Sequence, residues 1–482
     1  MEGDEGGGSD VTAKPEFVKA ISRLDATALV AGAMIGSGIF IVSADILRQV
    51  HAPGLMLVVW AIAGLVTVLG ALAYGELAAM FPHAGGQYVY LREGISPLFG
   101  YLYGWTLFLV IQTGTIAAVA VAFARFTGVL FPVLSPDVFM GGTVRLPSGP
   151  IEVGVSAQRL FAILSIAVLT WINYRGVRTA AIIQTSLTII KVATLAALVL
   201  LGALLFRKPE VVGANFSMPL LPEGVSFLTF VPVIGAAMVG ALFSMEAWNN
   251  VGFAADELKQ PARDVPIAMG AGTLIVTVLY LLTNVAYLSV LPADAVANAS
   301  QDRVGTAALQ AMFGPAGLYL MAIAIIISTF GCNNGLILAG ARVYYAMARD
   351  NLFFRRTGAL HPVHKTPGFA LVVQAIWTSV LCLSGTYSQL LDYVVLAALL
   401  FYVLTVISLF VLRARRPDAA RPVRAPGYPW LPAVYLLATG LIAVNLLFVK
   451  PQYTWPGLII VALGVPVYYV WRKLAPEPEA RE

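Results

Sequence analysis

Charge is the first thing this sequence lacks. Asp, Glu, Lys and Arg make up 11% of its 482 residues and apolar residues 59%, where a soluble domain carries about 25% and about 45–50%. Mean hydropathy is +0.83. A soluble fold is excluded, because no single core hides that much apolar surface, whereas lipid solvates it. Cysteine is almost missing too. Cys332 and Cys382 both lie in apolar runs, which excludes a disulfide framework and a Cys-x-x-Cys redox or metal motif. The histidines, His51, His83, His361 and His364, fall in predicted loops without zinc-site spacing, so no metal and no cofactor are expected. No basic tract points to nucleic acid. There is no Gly-x-Ser-x-Gly, no His-Glu-x-x-His and no P-loop, which argues against a hydrolase, a metalloprotease and a primary pump. Met1 to Ala20 is polar and has no apolar core of a signal peptide before Leu24, so 1–20 is expected to be a disordered cytoplasmic tail.

What is present is a series of long apolar runs. Backbone groups in lipid must bond within the protein, which leaves helices or closed barrels. A helical span needs about 20 apolar residues, and the runs here are far longer than barrel strands. The sequence predicts an all-α integral membrane protein of about twelve spans, near 25–48, 54–81, 97–124, 157–174, 179–206, 227–254, 266–291, 314–348, 368–385, 388–412, 431–448 and 456–472. With both termini cytoplasmic, 21 of the 30 Lys and Arg residues fall on the inner side and 8 outside, leaving Lys191 within the membrane. That asymmetry supports a multi-pass protein of the cell membrane in this orientation. Residues 125–156, rich in Gly and Pro, are expected to be an outer covering loop.

Two spans are interrupted. The first holds Gly32-Ala33-Met34-Ile35-Gly36-Ser37-Gly38-Ile39-Phe40, and glycine costs about 1 kcal/mol in a helix interior. The sixth holds Gly235, Gly240 and then Phe243-Ser244-Met245-Glu246-Ala247-Trp248-Asn249-Asn250; a carboxylate and two amides are costly at membrane depth unless they face a cavity. Unwinding frees N–H donors at a helix start, which suit a carboxylate, and carbonyls at a helix end, which suit an ammonium. A site with both reads the α-groups of an amino acid. Broken helices at matching places in two halves predict a five-plus-five inverted repeat with two added spans. The competing reading is close packing through Gly32 and Gly36, which have Gly-x-x-x-Gly spacing.

These residues carry a family resemblance. GAMIGSGIF, AYGELAAMFPHAGGQYVYLREGISPLFGYLYGW, FSMEAWNNVGFAADELKQPARDVP and STFGCNNGLILAGARVYYAMARDNLFF, in that order, resemble the amino acid–polyamine–organocation superfamily, the last two especially its L-type amino-acid transporter branch. The resemblance covers roughly residues 20–415. It implies alternating access in a fold like the sodium-coupled leucine transporter, with a transport core over 21–412, two additional helices over 413–472 and a tail over 473–482. It implies that the substrate carboxylate meets N–H groups of Ser37, Gly38 and Ile39, next to Gly36. The ammonium then meets carbonyls of Ala33, Met34, Ile35 and Phe243, whose ring is the gate over bound substrate; Ser244 and Asn249 belong to the same wall. Glu246 departs from several animal members, which often carry a small residue there. It is left to select a cationic side chain, to carry a proton, or to pair with a polar neighbour. Polyamines remain a further possible cargo. Those animal members bind a glycoprotein through an outer-loop cysteine; neither cysteine here lies in such a loop, so no disulfide-linked subunit is expected, and the partners are the amino-acid substrate and lipid.

Lys191 sits roughly 18 Å into the fifth predicted span, where an ammonium costs at least about 2.5–3.5 kcal/mol. In similar transporters a lysine here fills the space of a sodium ion. Its expected acceptors are carbonyls near Gly32 and the hydroxyl of Ser328 or Thr329. Sodium-independent transport follows, with amino-acid exchange ahead of proton-coupled uptake through Lys191 or Glu246. Glu76, Asp256, Glu257, Arg342 and Arg349, near cytoplasmic helix ends, are candidates for an inner gate or for solvated helix termini. Gln112, Thr113, Asn284 and Asn333 either line the path or make ordinary interhelical hydrogen bonds.

Overall fold

The computed structural model describes residues 16–134, 136, 139–146, 149–221, 226–384, 387–449 and 451–474. Its long helices are α1 (Arg23–Met34), α2 (Gly38–Val50), α3 (Pro53–Met80), α4 (Pro97–Leu130), α5 (Ala157–Tyr174), α6 (Val177–Leu205), α7 (Phe227–Ser244), α8 (Pro261–Val290), α9 (Pro315–Arg349), α10 (Gly368–Ser384), α11 (Tyr387–Arg415), α12 (Trp430–Val449) and α13 (Pro451–Leu474). Among the described residues nine helices are long and apolar enough to cross a membrane, and ten if the bent pair α1–α2 is one span. The remaining two of the expected twelve fall on α7 and α10, whose apolar stretches are shorter.

Local chemistry sets the helix starts. Ser22 caps α1, its hydroxyl accepting the Asp25 N–H while the Asp25 carboxylate accepts the Ser22 N–H, a reciprocal capping box. Pro53, Pro97, Pro261 and Pro315 each occupy a first turn, where the missing N–H has no helical partner anyway. In α4, 83% of the most apolar stretch is buried, against 28% in α6, α12 and α13. The first is a central post and the others face lipid. α8 lies along α3 and α1, and α9 against α4 and α6. α12 packs on α3, α7 and α11, and α13 on α4 and α11, so the last two helices clasp the bundle from outside.

Two expectations change here. The covering loop is partly ordered: α4 continues to Leu130, and Phe139–Leu146 (β1) pairs antiparallel with Gly149–Ser156 (β2). Glu76, expected as either a gate residue or a solvated helix end, is not solvated. Buried at the end of α3, its carboxylate accepts from Arg413 (2.9 and 2.5 Å), Arg421 (3.1 Å) and the Ala425 N–H (2.8 Å). It therefore pins the segment between α11 and α12 to α3. Glu76→Ala leaves two guanidinium groups without their carboxylate, although Arg421 keeps backbone carbonyls and Arg413 the Tyr428 ring, and should cost up to about 3 kcal/mol; a drop in apparent melting temperature in detergent is the expected readout. Most of the predicted 1–20 tail and of the 473–482 tail lies outside the described residues.

Candidate substrate-binding site

The helix breaks build the site. α1 ends at Met34, α2 restarts at Gly38, and the two axes are bent by 42°. The unwound stretch is only Ile35–Gly36–Ser37. Gly32 stays helical and serves packing: a Cβ there would lie 2.1 Å from Thr188 Oγ1 and 2.4 Å from Gln184 Nε2 of α6. In the other half α7 stops at Ser244, residues 245–249 turn, and Asn250–Glu257 continues as 3₁₀ helix rather than α-helix. Ala247 lies in that turn at φ 71°, a left-handed conformation that costs a non-glycine residue about 1 kcal/mol or more and gathers at functional sites.

The carbonyls left by the first break are held from three sides. Lys191 Nζ donates to Gly32 O (2.7 Å) and Ile35 O (3.0 Å). Ser328 Oγ lies 3.0 Å from both Ile35 O and Gly36 O, and Cys332 Sγ 2.9 Å from Ala33 O. Tyr280 Oη reaches Met34 O (3.0 Å) and Ser244 O (3.2 Å), bridging the two breaks. Met34 O also accepts the Gly36 N–H (2.9 Å). Ser328 and Tyr280 each have a single hydroxyl hydrogen to share between two carbonyls, so acceptor capacity remains among Met34, Ile35, Gly36 and Ser244. Thr329 stands apart: its hydroxyl bonds Ile325 O within its own helix (2.7 Å).

A narrow cavity lies between the breaks, lined among others by Ala33, Met34, Gly36, Ser37, Gly38, Phe243, Ser244 and Glu246. Ile35 and Ile39 are not in its wall. At the start of α2 the N–H groups of Gly38 and Ile39 have no intrahelical acceptor, as in any first turn. Cys332 completes the lining from α9 and Thr115 from α4. Gly38 carries the closest contact, since a Cβ there would lie 2.2 Å from Ser244 Oγ and 3.0 Å from Ser244 Cα. At Gly36 the nearest atom would be Cys332 Sγ at 3.2 Å. Gly38→Ala should therefore lower uptake by at least about fivefold, as overpacking costs about 1–3 kcal/mol. Gly36→Ala should stay within about threefold, and Ser244→Gly should recover part of the Gly38→Ala loss; reconstituted uptake at matched protein levels checks all three.

Glu246 joins this cavity to two neighbours. Its carboxylate accepts a hydrogen bond from Tyr402 of α11, and no ion pair to it forms among the described residues. Asn249 donates to Gln87 Oε1 (2.6 Å), and the cavity beyond Glu246 is walled by Tyr103, Gln112 and Tyr402. Gln112 itself donates to Leu336 O (2.7 Å), Thr113 to Phe108 O and Asn284 to Tyr280 O (2.8 Å). Asn333 Oδ1 is buried with no protein partner among the described residues. Tyr280, Tyr402 and Cys332 are the residues that the sequence did not assign. Their signal is a lone hydroxyl or thiol deep within an apolar span.

On the face that bears the N-terminal segment, ion pairs join the helix ends. Glu257 and Arg342 form a fully buried bidentate pair (2.8 and 2.9 Å). The Ile21 N–H donates to Glu257 O (2.9 Å), and Arg23 pairs with Asp264 (2.8 Å). Asp256 faces His83 at 3.6 Å, and Arg349 forms no ion pair among the described residues.

A cavity between two broken helices, within a bundle of helices long and apolar enough to cross a membrane, fits a membrane transporter of small solutes. The comparisons agree. A family profile described as amino acid permease matches residues 21–470, and the chain belongs to that family, within the amino acid–polyamine–organocation superfamily. It is 30% identical to the large neutral amino acids transporter small subunit 2 of Homo sapiens, over 96% of this chain and 84% of that one. It is 29% identical to the serine/threonine exchanger SteT of Bacillus subtilis (strain 168), over 94% and 97%. The Asc-type amino acid transporter 1 of Mus musculus is 30% identical over 94% and 82%.

Proposed function

We propose that the chain exchanges one L-amino acid for another across the cell membrane by alternating access, without sodium, with both termini cytoplasmic. The observation that carries this reading is Lys191, whose ammonium sits against the carbonyls of Gly32 and Ile35. It places a fixed positive charge at the break, where a coupling cation would otherwise neutralise the carbonyl dipoles. The substrate carboxylate is taken by the first-turn N–H groups of α2 and the ammonium by carbonyls at Ala33, Met34, Ile35 and Phe243. Phe243 covers the substrate within a transport core over 21–412, to which the two added helices at 413–472 are attached. Both cysteines are buried, which favours a transporter with no disulfide-linked subunit. In proteoliposomes, uptake of labelled amino acid should rise when unlabelled amino acid is loaded inside and should be unchanged when choline replaces sodium. Uptake that requires a sodium gradient contradicts the reading.

One observation favours a second element. Glu246 lines the cavity without an ion-pair partner among the described residues, hydrogen-bonded to Tyr402. This suits a cationic side chain or a carried proton. If it selects cations, Glu246→Gly loses competition by arginine and keeps competition by leucine and alanine; an unchanged panel contradicts it. Uptake driven by a pH gradient alone, and lost in Glu246→Gln, would assign the proton instead.

A further inference from the structure

Away from the substrate site a groove of about 590 Å³ opens on the outer surface of the bundle. One wall is a single face of α10, Phe369, Val373 and Ile376 at i, i+4 and i+7, the spacing of one apolar stripe. Phe369 and Ile376 are 41% and 61% exposed. The floor is Phe108, set in the π-helical turn Leu107–Ile111 of α4 and stacked on Trp377 (6.3 Å between rings). Wide turns of this kind release carbonyls from the helical ladder, and here Trp377 Nε1 donates to Leu109 O (3.0 Å) and Thr113 Oγ1 to Phe108 O (2.6 Å).

At the mouth stand Arg355 and Arg356, on the short turn Arg355–Gly358 that follows α9. Both are exposed, and neither forms an ion pair among the described residues. No acidic residue lines the groove. Phe354 beside them meets Trp471 at 5.3 Å, and Arg472 and Lys473 follow in the chain. The surface thus joins an apolar trough at acyl-chain depth to guanidinium groups at headgroup level, capped by a tryptophan of the kind enriched at membrane interfaces.

We propose that this groove binds one anionic phospholipid, its phosphate held by Arg355 and Arg356 and an acyl chain lying along the α10 stripe. A soluble acidic peptide would leave the trough unfilled, whereas a zwitterionic lipid brings an ammonium of its own that competes with the two arginines for the phosphate; basic pockets at the end of transmembrane helices favour anionic headgroups. Leu107 and Ile111, on the same π-turn, wall the cavity next to Glu246, so the lipid would lie one helix thickness from the substrate path.

Full-length protein, delipidated in detergent and offered dioleoyl phosphatidylglycerol or dioleoyl phosphatidylcholine, tests this by native mass spectrometry. The wild type should retain phosphatidylglycerol in preference. Arg355→Gln/Arg356→Gln should weaken that preference by about thirtyfold, at about 1 kcal/mol per arginine. Val373→Trp, which fills the trough and leaves both arginines, should lower retention of both lipids. Arg207→Gln/Lys208→Gln, at the opposite end of the bundle, should change nothing. Unaltered phosphatidylglycerol retention in the arginine variant overturns the proposal, as does displacement of the lipid by inorganic phosphate.

Discussion

Replacing Lys191 by methionine is expected to lower uptake by about a hundredfold or more while leaving the protein in the membrane. The ammonium donates to Gly32 O and Ile35 O, and hydrogen bonds to charged groups contribute about 1.5–3 kcal/mol each. Two of them amount to at least 3 kcal/mol, or two powers of ten. Methionine keeps the length and the apolar stem, so packing against Gly331, whose Cβ would lie 3.0 Å from Lys191 Cε, is preserved. What is lost is the cation that holds the end of α1 open. Substrate binding measured alongside uptake separates the roles: loss of both follows if Lys191 shapes the break, whereas retained binding with lost uptake places it in the cycle instead. Wild-type uptake in Lys191→Met would mean a static clamp of no consequence.

The second large effect concerns Glu257 and Arg342. Both side chains are fully buried, and removing one partner of such a pair costs about 3–5 kcal/mol, because the other charge stays desolvated. Arg342→Met or Glu257→Leu alone should sharply lower thermal stability and uptake. The double variant Glu257→Leu/Arg342→Met leaves no orphan charge, and replacing a buried pair by apolar residues is often neutral or stabilising. We expect it to regain stability and not uptake, because a gate that must part into water needs groups that water solvates. Recovery of both would make the pair a fold element rather than a gate.

The architecture was largely legible because lipid demands long apolar helices, and such runs are unambiguous. The span expected at 157–174 is α5, Ala157–Tyr174. The break in the first span is narrower than the glycine pattern implied, because Gly32 and Gly38 are small for different reasons. Gly32 admits Thr188 and Gln184 within a regular helix, whereas Gly38 lets α2 approach Ser244. Spacing alone cannot distinguish the two. Beyond Ser244 the 3₁₀ course to Glu257 was hidden, since Val251–Ala255 is as apolar as any helix. Tyr280 and Tyr402 were missed because a tyrosine in a span reads as apolar mass, and only tertiary packing shows its hydroxyl reaching a carbonyl or a carboxylate. Glu76 looked like a gate residue or a solvated helix end by position. Its partners, Arg413, Arg421 and Ala425, lie more than three hundred residues away and set it apart.

The central claim is that peptide groups exposed by the two breaks read both ends of a zwitterion. Binding of a transported amino acid to the purified wild type, competed by the same compound as its α-methyl ester and as its N-acetyl derivative, tests that most directly. The ester has lost the anion for the Gly38 and Ile39 N–H groups, and the acetyl derivative the cation for the carbonyls. Neither should compete, while the unmodified amino acid does. Equal competition by all three would show that the cavity recognises only the side chain, and the account of the broken helices would be wrong.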